Sequence, residues 1–114
     1  MQRLMVLLIL LGLTLPALGQ SNYGVVTGTV ADAQHLPVAG AAVQLTAAST
    51  GAVRRVVTNQ QGLFNAPALL PDDYELNTEA TGFATTTQSV RLEVGQKLAV
   101  EINLKVGERL TITR

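Results

Sequence analysis

Residues 97–106 change polarity at every step. Leu98, Val100, Ile102, Leu104 and Val106 alternate with Lys97, Ala99, Glu101, Asn103 and Lys105. A period of two places the apolar set on one face of a strand and the polar set on the other. On a helix the same residues would be scattered round the axis. A strand of this kind needs a sheet to pair with and a second layer to cover its apolar face.

The same period recurs through the rest of the chain after Gln20, with turn residues at short intervals. Strands are expected at 24–31, 41–47, 53–58, 63–66, 74–80 and 84–94, ahead of the one at 97–106. Val26, Gly28 and Val30 share a face of the first; Ala41, Val43 and Leu45 share one of the second. In the fifth, Tyr74, Leu76, Thr78 and Ala80 oppose Glu75, Asn77 and Glu79. Residues 32–40 read as a loop. Ser49-Thr50-Gly51 and Thr81-Gly82 read as turns, and residues 59–62 as a hairpin-type turn in which Gly62 takes positive φ. Pro67 and Pro71 cannot donate to a central ladder, so residues 67–73 are expected to form a loop. The sixth and seventh strands are expected to make an antiparallel hairpin across Gly95-Gln96. Short strands at this spacing predict an all-β sandwich or barrel.

The N-terminus has a different character. Arg3 precedes an apolar run at 4–15, and Pro16-Ala17-Leu18-Gly19 follows with small residues at Ala17 and Gly19. That order is a secretory signal pattern, with cleavage expected after Gly19. The run is shorter than the about twenty residues that span a bilayer, and no transmembrane segment is expected in the mature chain. Export to the periplasm, the outer membrane or the medium is the expected destination. The division expected is therefore a signal peptide at 1–19, a linker at 20–23, a sandwich at 24–106 and a tail at 107–114.

Composition excludes several functions. The chain has eight basic and eight acidic side chains, and losing Arg3 with the leader leaves one net negative charge. That balance offers no electrostatic footprint for nucleic acid and no polybasic membrane patch. There is no cysteine. Disulfides, zinc ribbons and thiol chemistry are excluded, and the core must hold the fold alone.

Four stretches, in order, resemble carboxypeptidase regulatory-like domains. They are Gly28-Thr29-Val30-Ala31-Asp32 continuing into residues 37–45; residues 58–64; residues 70–76; and Ala80-Thr81-Gly82-Phe83. The resemblance covers residues 24–106. It implies a seven-stranded antiparallel β-sandwich of the prealbumin or transthyretin kind, serving binding or structure rather than catalysis. Similar domains precede the plug and barrel of bacterial TonB-dependent outer-membrane receptors, and residues 106–112 resemble the junction into such a plug. In similar domains glycine follows the proline of the Leu-Pro stretch. This chain has Asp72 there, which implies a positive φ held by aspartate with slight strain.

No catalytic, cofactor-binding or metal-ligating residue is assigned, and no cofactor is expected. His35 is the single histidine and reads as a solvated loop residue. Asp72 and Asp73 lack the ligand-rich spacing of a calcium loop and read as turn residues. Arg54 and Arg55 face opposite sides of a strand, so they form no patch. Gly24 and Gly28 lack the helix of a phosphate cradle. Phe64, Tyr74 and Phe83 read as core or corner, leaving Tyr23 exposed. The Thr-rich stretch 85–89 is a candidate edge. A binding or structural module with a protein partner in the cell envelope is the leading reading. A carbohydrate-binding module with a starch-binding-like sandwich is the alternative.

Overall fold

The alternating segments become strands. The computed structural model describes residues 22–107; the leader, its cleavage point and the tail beyond Gly107 lie outside the described residues. The strands are β1 (Gly24–Ala31), β2 (Ala42–Ala47), β3 (Val53–Val57), β4 (Leu63–Leu69), β5 (Asp72–Glu79), β6 (Thr86–Leu92) and β7 (Lys97–Asn103). They form a three-stranded sheet ordered β4-β1-β7 and a four-stranded sheet ordered β3-β2-β5-β6. Among the described residues no helix is long and apolar enough to cross a membrane.

The inner faces follow the period of two. Val26, Val30, Phe64, Val100 and Ile102 line one sheet and Val43, Leu45, Tyr74 and Leu76 the other, all buried in one cluster. Fully burying a side chain of this size stabilises by about 1.5–3 kcal/mol. Gly28 has a packing role. It lies opposite Phe64 in the β1–β4 register. A Cβ on it would come within 2.5 Å of the Phe64 ring and of the Val100 carbonyl oxygen. The missing side chain is the space the ring occupies. Buried Thr58 ties the loop before β2: its hydroxyl donates to the Val38 carbonyl and accepts from the Ala41 N–H.

Topology departs from expectation at two turns. β6 and β7 are not a hairpin: β6 pairs with β5, while β7 runs parallel to β1 in the other sheet. The turn at Gly95 therefore carries the chain across the sandwich. Residues 59–62 do the same, since β3 and β4 also lie in different sheets. That turn is tight as expected, with Gly62 at φ 75° and Asn59 Oδ1 accepting from the N–H groups of Gln61 and Leu63. The β1–β7 pair also makes one of the five pairings parallel in a sandwich expected to be antiparallel.

A third departure is β4, which continues through Pro67 to Leu69. β4 is an edge strand, where a missing N–H costs no ladder bond. The register slips between Val26↔Ala66 and Gly24↔Leu69. Pro67 and Ala68 thus face Val25 as a β-bulge, one residue extra on the bulged strand. β5 in turn starts at Asp72, so both aspartates belong to a strand rather than to the loop.

Candidate functional site

The bulge shapes one end of the sandwich. Ala68 lies there at φ 57°, a left-handed conformation that costs a residue with a Cβ about 1–2 kcal/mol. The expected positive φ at Asp72 is absent; among the described residues His35 and Ala68 are the non-glycine residues that carry one. The strain implied by the Leu-Pro stretch is displaced four residues upstream.

Beside the bulge is a hollow of about 250 Å³, with Leu45, Leu69 and Tyr74 in its lining. Buried apolar residues form its floor. Tyr23, Val53 and Leu70 stand at its mouth, each more than half exposed. They are three of the eight large apolar side chains exposed in the described chain. Scattered exposed apolar residues are ordinary; these three are grouped around one hollow.

Two charged groups flank the hollow. Arg54 points toward the inner side of the edge strand β3, opposite buried Leu45. Its Nη1 donates to the Pro67 carbonyl at 2.7 Å, bolting the edge of one sheet to the bulge of the other. Asp72 accepts from the Ser49 hydroxyl at 2.6 Å, the Ser49 N–H at 3.2 Å and the Asp73 N–H at 2.8 Å. The Ser49 hydroxyl holds the Asp72 carboxyl below its ordinary range; the two backbone N–H groups and the charge of Arg91 act the same way, against partial desolvation. Between the charges the Tyr74 hydroxyl donates to the Leu70 carbonyl at 2.6 Å. Burial pushes its pKa up; the Asp72 charge adds to the rise and Arg54 opposes it.

The remaining sequence candidates do not gather there. His35 is exposed in the 32–36 turn at φ 66°, where Asp32 Oδ1 accepts from the Gln34 and Leu36 N–H groups. Asp73 faces outward and pairs with Arg91 at 3.0 Å, and Arg91 also meets Glu93 at 3.1 Å. These groups are exposed, and solvent screening leaves such pairs little to contribute to stability. Arg55 faces the opposite way from Arg54, toward Gln44 at 3.4 Å. β6, which takes up most of the Thr-rich stretch, is an edge strand. Among the described residues no three His, Cys, Asp or Glu side chains gather to hold a metal ion. Sequence reading missed the hollow because its walls come from three separate stretches, Tyr23, residues 45–54 and residues 68–74. The signal was the Pro67-Ala68 pair beside Arg54, whose meaning depends on the β1–β4 register.

The sequence profile of the carboxypeptidase regulatory-like domain matches residues 25–105. The chain belongs to this family. No curated protein sequence matches the chain. The regulatory-like fold is shared with larger proteins of known structure. One is the Bacillus anthracis TIE protein, at TM-score 0.65 and 12% identity over 75% of this chain and 17% of that one. Another is catechol 1,2-dioxygenase from Acinetobacter sp. ADP1, at TM-score 0.66 and 10% identity over 86% and 58%. A third is catechol 1,2-dioxygenase from Pseudomonas arvilla C-1, at TM-score 0.64 and 15% identity over 81% and 55%. The regulatory-like domain spans under two thirds of each of these proteins, and at such identities the likeness is one of fold.

Proposed function

We propose that this protein is an exported, non-catalytic module of the bacterial cell envelope that docks a protein partner at the hollow between β3 and the β4 bulge. The observation that carries this reading is the ring of exposed Tyr23, Val53 and Leu70 around an apolar floor. Interfaces draw their energy from such a centre, where a partner's side chain is fully desolvated. The signal pattern at 1–19 supports export. The family resemblance supports a role as the N-terminal extension of a TonB-dependent receptor, with the edge strand β6 open to strand addition. The alternative is a carbohydrate-binding module, for which Tyr23 at the mouth is the aromatic platform.

Fractionation of the source cells with an antibody to the domain tests export. A species beginning at Gln20, or a larger outer-membrane band, supports it; a purely cytoplasmic species overturns it. A photo-cross-linking residue at position 70 tests the docking face in intact cells, with position 81 at the far end of the sandwich as control. The expected result is a discrete adduct to one envelope protein from position 70 alone. Equal adducts from both positions overturn the assignment of the face. Saturable binding of a glycan, lost in Tyr23→Ala, replaces the protein reading with the carbohydrate one.

A further inference from the structure

The hollow has an apolar floor, and the two charges at its mouth are unequally engaged. Asp72 accepts three hydrogen bonds from its own neighbourhood, two from Ser49 and one from Asp73. Its charge is committed to fixing the turn at Ser49 to the start of β5. Arg54 is different. Its recorded hydrogen bond is the one to the Pro67 carbonyl, whereas a guanidinium has five donors in a fixed fork. Among the described residues the ion pairs all belong to Arg91. The mouth therefore holds a tethered cation with no carboxylate of its own beside a hole suited to a large apolar group. The Pro67 tether removes part of the side-chain freedom that binding would otherwise have to remove.

We infer that the hollow captures the C-terminal residue of a partner protein, seating a large apolar side chain between Val53 and Leu70 over Leu69 and Tyr74 and its free α-carboxylate on Arg54. This inference rests on the docking face proposed above. A C-terminal residue carries an apolar side chain and a carboxylate on the same Cα, so a single residue satisfies both features. An internal apolar residue would leave Arg54 without a counter-charge. A sugar would leave the apolar floor with little to bury.

The test uses the purified protein and two probes, acetyl-Ala-Ala-Ala-Phe as the free acid and as its C-terminal amide, titrated by amide-resolved NMR. The free acid is expected to shift resonances at residues 49–54 and 68–74. It should bind roughly tenfold or more tightly than the amide, as the loss of a charge-assisted hydrogen bond requires. Arg54→Met should bring the free acid down to the affinity of the amide, and Arg54→Lys should keep part of the preference. Thermal melts of both variants check that the bolt to Pro67 is not needed for folding. Equal binding of acid and amide to the unaltered protein overturns carboxylate capture and leaves the docking face standing. Shifts confined to other surfaces, or no shift with either probe, overturn the inference; the cross-linking comparison then decides the docking face separately.

Discussion

The β2–β5 pair and the β3–β4 edge are built to different standards. In β2 and β5 every second residue is buried and the register runs without a break from Ala42↔Glu79 to Ala47↔Tyr74. At the β3–β4 edge the register slips, a proline sits in a strand, an alanine takes positive φ and an arginine points inward. The first region has one blemish, the buried Thr78 hydroxyl, which has no hydrogen-bond partner. The second gathers several, around a hollow with an exposed apolar rim. Proteins that satisfy local rules elsewhere concentrate their violations where they act. The contrast separates the part of the chain that holds the fold from the part that the proposed docking would use.

The largest expected effect comes from placing the same charge in the buried core, in β7, and at the rim of the hollow. Ile102 is 1% exposed, and Ile102→Asp buries a carboxylate with no partner; loss of the cooperative thermal transition is expected. Leu70 is 55% exposed, and Leu70→Asp is expected to change stability by no more than about 0.5 kcal/mol. It should nonetheless abolish docking at the hollow. A folded Ile102→Asp protein, or an unfolded Leu70→Asp one, would break the distinction.

That distinction also marks what could be read in the sequence. The outward and inward faces of β1, β5 and β7 followed from alternation, because burial on one side leaves a direct trace in residue order; Val106, expected on the same core face, lies beyond the end of β7 and is 75% exposed. Partnership did not. Val90 and Leu92 face the core from one sheet, Leu98 and Val100 from the other. Two strands facing each other across a core bury the same alternating pattern as two strands side by side, so the turn at Gly95 read as a hairpin. The parallel β1–β7 pairing joins the first and last strands in sequence and leaves no local signature. The hollow was hidden for a related reason. Arg54 and Pro67 are ordinary residues until the bulge turns the Pro67 carbonyl toward the guanidinium.

A smaller effect tests whether the strain at Ala68 belongs to the site. Glycine adopts the left-handed conformation freely, at an entropic cost of about 0.5–1 kcal/mol against the about 1–2 kcal/mol of strain it removes. Ala68→Gly should therefore stabilise the fold by about 0.5–1 kcal/mol, read as a higher midpoint in denaturant. If the strained backbone holds the rim in place, the same variant should bind its partner more weakly, stability gained against function lost. Gain on both counts would mean that the bulge is a tolerated defect.

The smallest expected effect concerns the loop that Asp72 fixes. Its folded pKa lies below the ordinary value of 3.8, chiefly through the Ser49 hydroxyl. For a carboxyl depressed in the folded state, the stabilising contribution is present above the unfolded pKa and is lost as pH falls through the folded one. The window thus lies at and below about pH 3.8; near neutrality the contribution is fully present and does not vary with pH. Ser49→Ala removes the 2.6 Å bond and keeps the Ser49 and Asp73 backbone donors. The Asp72 midpoint, followed by carboxyl carbon NMR, should rise toward 3.8, and the acid limb of the stability profile should flatten. The β2–β5 core should show no change in its amide resonances. An unmoved midpoint would assign the depression to the backbone donors and Arg91, making the loop rigid by main-chain geometry rather than by the serine.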